Sequence, residues 1–225
     1  NVTAPVVEGA ENIVLTEKDK ATVTVPADAV ASDAKELTLS IIPKTNNESN
    51  IEITDGQTFQ AYDISVSGIK SDNTEKIRVS FFVGKGLTGV KLYHAGELIA
   101  AEYTEDGYII FETDSFSPFD VVYDAPAMTV DGVAYYDLTS AVAAAKEGGT
   151  ITFLKSTTEP MALTLTEPMT VQNVTFKAAS GVTIKGLQLA SANAKTRLTL
   201  DGIKFEGISF TDKVVVGQDT ISYGL

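Results

Sequence analysis

The sequence predicts an all-β protein: an antiparallel β-sandwich over residues 1–125, then a short parallel β-helix with one N-terminal capping helix over residues 126–225. Three observations carry this reading. Short runs of alternating apolar and polar residues, broken by turn residues, fill the first half, and no helical period interrupts them. A single Ala-rich segment, Asp137–Lys146, has helical spacing. Beyond it, segments of strand length recur, and Val171–Phe176 resembles Leu200–Phe205 at a spacing of 29 residues.

The strands of the first half follow in order. Val23-Thr24-Val25 comes after the polar Lys18-Asp19-Lys20, and Leu37–Ile42 alternates up to Pro43. Ile51-Glu52-Ile53 runs into the turn signal Asp55-Gly56. Tyr62–Val66 and Ile77–Val83 are followed by breaks at Gly84, Gly86 and Gly89, and then by Val90–Tyr93. Leu98–Tyr103 reads as one strand, Glu105-Asp106-Gly107 as a hairpin turn, Tyr108–Phe111 as the return and Phe119–Tyr123 as the last strand. Roughly eight or nine short strands with frequent turns suit a sandwich. Ala27–Ala34 could form one helical turn.

In the second half, Met128–Tyr135 reads as a hairpin around Asp131-Gly132. The helix places Leu138, Val142 and Ala145 on one face, with Asp137 or Thr139 as its cap and Gly148-Gly149 as its stop. Strands are expected at Thr150–Leu154, Leu163–Leu165, Val171–Phe176, Val182–Ile184, Leu187–Leu189, Leu198–Leu200, Ile203–Phe205 and Ile208–Phe210. Strands this short, with a repeat, suit stacked coils in which inward Val, Ile, Leu and Phe sit on like residues one coil below.

Composition narrows the function. The formal net charge is −13, from 30 acidic and 17 basic residues. Nucleic acid and anionic membrane surfaces are therefore unfavourable partners. Cysteine is absent, which removes disulfides, thiolate zinc sites and cysteine nucleophiles together. No segment approaches the ~18 apolar residues that span a bilayer. No basic and apolar leader opens the chain and no sorting motif closes it, so the chain is expected to be a piece of something longer. A cysteine-free, acidic, Thr- and Val-rich chain suits an exported bacterial protein.

Three motifs resemble known domains. Val23-Thr24-Val25-Pro26-Ala27-Asp28-Ala29-Val30 resembles the opening of the β-sandwich domains of ankyrins and netrin receptors, with Asp28 where that motif usually has Gly. Val90–His94, Gly107–Phe111 and Ser115-Phe116-Ser117-Pro118-Phe119-Asp120-Val121-Val122 together look like the closing half of related bacterial modules. Val130–Gly132, Tyr136–Val142 and Gly148–Leu154 resemble the N-terminal cap of right-handed β-helix domains in surface proteins of Gram-positive and gut bacteria. The resemblances cover most of the chain. They imply an extracellular or cell-surface, multi-domain, adhesin-like protein whose partners are host or microbial surface glycans or proteins. They assign no chemistry to any residue.

Candidate sites are few. His94 is the single histidine, so a Ser–His–Asp triad would have to pass through it. The alternative is a polar side chain at a strand end. One histidine cannot supply the usual pair of zinc ligands. The metal that the carboxylate-bearing loops would suit is calcium, with Asp72, Asp106, Asp120 and Asp124 as candidates. None of them has the alternating spacing of a dedicated calcium loop, and the competing reading is solvated turn residues. Polysaccharide lyases and hydrolases also use β-helices. The acids and bases here that lie near one another in sequence, Asp201 and Glu206 with Arg197 and Lys204, fall at outward positions of the repeat. Gly84–Gly89 lacks the residue order of a phosphate loop. Asn1-Val2-Thr3, Asn47-Glu48-Ser49 and Asn173-Val174-Thr175 match glycosylation acceptors by pattern alone. Tyr93, Tyr103, Tyr108, Tyr135 and Tyr136 could stack on sugar rings or serve as cross-strand pairs.

The expected function is thus non-enzymatic: an extracellular adhesion or glycan/protein-binding module with no catalytic or cofactor-binding residue. The alternatives are an ancillary region of a secreted carbohydrate-active enzyme and a stalk that binds nothing.

Overall fold

The computed structural model describes residues 1–47, 49–191, 197–208 and 215–216. The chain divides into two compact units, Asn1–Ala125 and Pro126–Leu225.

The first unit holds β1 (Val2–Pro5), β2 (Asn12–Glu17), β3 (Ala21–Pro26), β4 (Glu36–Lys44), β5 (Gln57–Ser67), β6 (Ile77–Phe82), β7 (Lys91–His94), β8 (Glu97–Ile99), β9 (Ala101–Tyr103), β10 (Tyr108–Thr113) and β11 (Phe119–Asp124). They form two antiparallel sheets, ordered β1-β4-β5-β11-β7-β8 and β2-β3-β6-β10-β9. Alternation fixes which side chains turn inward. Val23 and Val25 of β3, with Val79 and Phe81 of β6, share one core with Ile64 of β5 and Phe119 and Val121 of β11. Phe111 joins the sheets: its ring centroid lies 6.1 Å from Phe81 and 5.0 Å from Phe119.

Four expectations for this unit change. Ile51–Ile53 is not a strand. The Asn47 side chain takes both backbone groups of Ile51, accepting from its N–H at 3.0 Å and donating to its carbonyl at 2.6 Å. Alternation without a neighbouring strand makes no ladder. Leu98–Tyr103 is two strands, because β8 pairs with β7 in one sheet and β9 pairs with β10 in the other, with Ala100 as the crossing point. Ala27–Ala34 yields only a 3-10 turn at Ala27–Ala29. β1 and β2 are additional, although Ile13 and Leu15 of β2 alternate with exposed neighbours as a half-buried strand should.

The second unit holds β12 (Met128–Val130), β13 (Val133–Tyr135), α1 (Leu138–Ala145), β14 (Thr150–Phe153), β15 (Met161–Leu165), β16 (Met169–Gln172), β17 (Thr175–Ala178), β18 (Leu187–Ser191), β19 (Leu198–Asp201), β20 (Lys204–Glu206) and β21 (Val215–Val216). Asp131 and Gly132 both have positive φ, as a tight two-residue hairpin requires. In α1, Asp137 is the cap: its carboxylate accepts from the Ser140 N–H at 2.8 Å. Thr139 has another task, accepting from the Thr164 N–H at 2.9 Å. Leu138, Ala141, Val142 and Ala145 are the buried face, and α1 packs against β12, β13, β14 and β15.

After the antiparallel β13-β12-β14 start, pairing turns parallel. β14, β17 and β20 form one ladder, β15, β18 and β21 a second, and β16 and β19 a third. The partners lie 25 residues apart at Thr150 and Thr175, 26 at Leu163 and Leu189, and 29 at Val171 and Leu200. The described strands close no barrel. The 29-residue likeness in the sequence is thus a pairing register, but each copy is two strands with a corner between them. Asn173 and Gly202 occupy those corners with φ of 55° and 63°. Only Gly and a few short polar residues adopt this conformation readily, which is why the repeat has Asn in one copy and Gly in the other. Phe153, Phe176 and Phe205 stack through the first ladder at 6.3 and 5.4 Å. Val182–Ile184, expected as a strand, is not one, although Ile184 is fully buried in the core. Of the expected Ile208–Phe210 strand, Ser209 and Phe210 lie outside the described residues. Among the described residues no helix is long and apolar enough to cross a membrane.

Candidate functional site

His94 ends β7 opposite Phe119 and stacks on its ring at 4.3 Å. Nδ1 is 3.1 Å from the Pro118 carbonyl, and Nε2 is 3.1 Å from Ser115 Oγ. A carbonyl only accepts, so in the neutral ring Nδ1 carries the hydrogen and Nε2 is left to accept from the hydroxyl. The same Ser115 hydroxyl lies 3.3 Å from Asp114 Oδ1, so its one hydrogen is shared between Nε2 and that carboxylate. The register therefore brings a Ser, a His and an Asp together, which their sequence separation hides. They are wired differently from a triad, because the carboxylate sits on the hydroxyl and a backbone carbonyl sits on Nδ1. Asp114 is also held by the Lys76 ammonium at 2.5 Å. That hydrogen bond, aided by its charge and by Ser115, keeps the carboxyl below its ordinary range against the opposing effect of desolvation. The arrangement ties the turn that carries Ser117 and Pro118 to β7.

The four calcium candidates are not brought together. Asp72 is exposed in a loop organised by Asn73, whose amide donates to the Glu75 and Asp114 carbonyls at 3.0 Å each. Asp106 is exposed in its hairpin turn, 3.8 Å from Lys85 Nζ. Asp124 accepts from the Thr88 hydroxyl at 2.8 Å and anchors the Thr88–Gly89 loop. Asp120 differs from all of these: it is fully buried, and neither carboxylate oxygen has a hydrogen-bond partner. Among the described residues no three His, Cys, Asp or Glu side chains gather as a metal group. Asp201 and Glu206 are exposed.

A polar network that the sequence does not announce lies at one end of the first core. Gln60 Nε2 donates to the Val83 carbonyl and the Tyr123 hydroxyl at 2.9 Å each, and the Tyr62 hydroxyl donates to Gln60 Oε1. Burial, with a smaller contribution from Tyr123, pushes Tyr62 up to about 12 from an ordinary 10.0. A raised folded value favours the neutral phenol. The stability it contributes is complete below pH 10.0 and is lost as pH rises through about 12. An absorbance titration of tyrosinate formation is expected to contain a component completing near pH 12 that Tyr62→Phe removes. A curve unaltered by that substitution would refute the assignment.

The tyrosines divide by role. The Tyr103 hydroxyl donates to the Gly84 carbonyl at 2.7 Å and accepts from the Leu87 N–H at 3.0 Å, so it organises the glycine-rich loop. Tyr108 is directly opposite Phe82 across the β10–β6 pair, with ring centroids 5.5 Å apart. Tyr135 packs against the core of the second unit, and Tyr93 and Tyr136 are half-buried. Phe82 is 40% exposed. With Tyr108, Ile110, Arg78, Glu102 and Glu112 it makes the outer face of the five-stranded sheet, where aromatic and charged side chains lie side by side. Inside the second unit, Leu138, Val142, Phe176, Leu189, Leu198 and Phe205 line an apolar cavity of about 100 Å³ that belongs to the core.

No protein family, no curated protein and no solved structure matches this chain.

Proposed function

We propose that the chain is a non-enzymatic module of an extracellular surface protein, in which a β-sandwich is followed by the first coils of a parallel β-helix. The observation that carries this reading is the set of parallel ladders at spacings of 25 to 29 residues with a phenylalanine stack through one of them. Such a scaffold grows by repeating one unit and presents strand faces and corners to its surroundings. The buried face of α1 supports its role as the lid over the first coil. The acidic, cysteine-free composition supports an extracellular setting. The recognition surface in this proposal is the face bearing Phe82 and Tyr108, whose rings could stack on a sugar while Arg78, Glu102 and Glu112 supply hydrogen bonds.

An array of glycans and extracellular-matrix proteins probed with the whole chain tests this. At least one saturable ligand is expected, and Phe82→Ala is expected to abolish its binding. Silence at every position would instead favour a stalk, and turnover of a polysaccharide by this chain would overturn the non-enzymatic reading.

A further inference from the structure

Among the described residues, Asp120 is the one fully buried carboxylate with both oxygens unpartnered. It sits in the middle of β11, directly opposite Ala61 of β5 on one side and Tyr93 of β7 on the other. Its neighbours Phe119 and Val121 point into the core, so Asp120 and Val122 point to the opposite face of the sheet. That face is nevertheless covered here: Ala61, Asp120 and Val122 are all buried. The segment between β4 and β5 accounts for the cover. It leaves β4 at Lys44, which pairs with Ala61, and its Ser49 carbonyl lies 3.5 Å from the point where a Cβ on Gly96 would be, in the β7–β8 turn. β5 and β11 lie between β4 and β7 in the sheet, so this route passes over them. The Ser49 hydroxyl on the same segment is likewise buried and without a partner.

A buried carboxylate with two unpaired oxygens is costly. Lys91 of the neighbouring β7 pairs with Val122 on the same face but is exposed, and Lys44, two strands away on β4, is placed 3.7 Å from Asp63. A small, hard cation would satisfy both oxygens at once and would be drawn by the net charge of −13. We infer that Asp120 is the seat of an oxygen-ligated cation of the calcium type, held between the outer face of the six-stranded sheet and the β4–β5 segment, with the Ser49 hydroxyl as a further donor. With a single carboxylate, the site belongs to the weak class of roughly 10⁻⁴ to 10⁻³ M.

The chain has no tryptophan, and Tyr93, directly across from Asp120, is a built-in sensitiser for bound terbium. Terbium luminescence excited through tyrosine is expected from the wild-type chain and is expected to be displaced by calcium. Calcium should also raise the unfolding temperature. Asp120→Asn, which keeps shape and removes charge, should lose both responses, Ser49→Ala should weaken them, and Asp72→Asn should keep them. The inference is overturned if calcium leaves the wild-type unfolding temperature unchanged, or if Asp120→Asn still responds to calcium or terbium as the wild type does. A wild type that ignores calcium while Asp120→Asn simply unfolds at a higher temperature would mean that the carboxyl is buried without a metal.

Discussion

Phe176→Ala is expected to destabilise the second unit by about 3–5 kcal/mol, the usual cost of emptying a large aromatic site in a core. Phe176 is the middle ring of the stack, with Phe153 at 6.3 Å on one side and Phe205 at 5.4 Å on the other. It is buried, and it also lines the existing apolar cavity, so truncation enlarges a void that the backbone ladders hold open. The parallel hydrogen bonds from Thr175 to Ala178 fix the strand on both edges and limit collapse. Phe205→Ala removes the same ring from a site that is 41% exposed and should cost about 1 kcal/mol or less. Hydrogen exchange on the full chain checks this. Amides of residues 126–191 and 197–208 should lose protection in Phe176→Ala while those of residues 1–47 and 49–125 keep theirs. Equal losses for the two phenylalanine variants would sink the stacking account.

Gly107→Ala is expected to destabilise the first unit by about 2–4 kcal/mol, through two costs that add. Gly107 closes the β9–β10 hairpin with φ of +89°, where a side chain is strained. A Cβ there would also lie 2.7 Å from the Gly84 carbonyl carbon and oxygen and 2.8 Å from the Phe82 ring. The close approach has a purpose, because the Gly107 carbonyl accepts from the Val83 N–H at 2.9 Å and fastens the end of β6 to the hairpin. Gly9→Ala separates the two costs. Gly9 has φ of +79° but open space around it, so only the conformational strain applies, about 1 kcal/mol. Urea unfolding of the three chains measures the difference. Similar midpoints for Gly107→Ala and Gly9→Ala would show that the contact with Gly84 gives way freely.

Much of the β content was legible because period-two alternation is a local signal. Val23, Val25, Val79 and Phe81 announce their inward face from sequence alone. The helix was legible from alanine content and its polar cap. The 29-residue likeness pointed to a real register, although the corner at Asn173 was hidden inside what reads as one strand. What stayed hidden depends on which strand lies next to which. Nothing local in Leu98–Tyr103 says that its two ends join different sheets. Ile51–Ile53 alternates as well as any strand but joins no ladder, and a single asparagine takes both backbone groups of Ile51. His94 and Ser115 meet only because β7 pairs with β11. Asp120 is a calcium candidate by composition alone, and nothing local signals that it is fully buried with both oxygens unpartnered. The oxygen-rich turns at Asp72 and Asp106 suggest a site by composition, yet they lie apart and exposed.

The order of the six-stranded sheet has a mechanical consequence. β1 and β11 lie in the same sheet with β4 and β5 between them, and each neighbouring pair is antiparallel, so β1 and β11 run in opposite directions. The chain therefore enters β1 and leaves β11 facing the same way along the sheet. Tension applied between the two ends of this unit would peel β1 from β4 one hydrogen bond after another, beginning at Val2, instead of loading the whole ladder in shear.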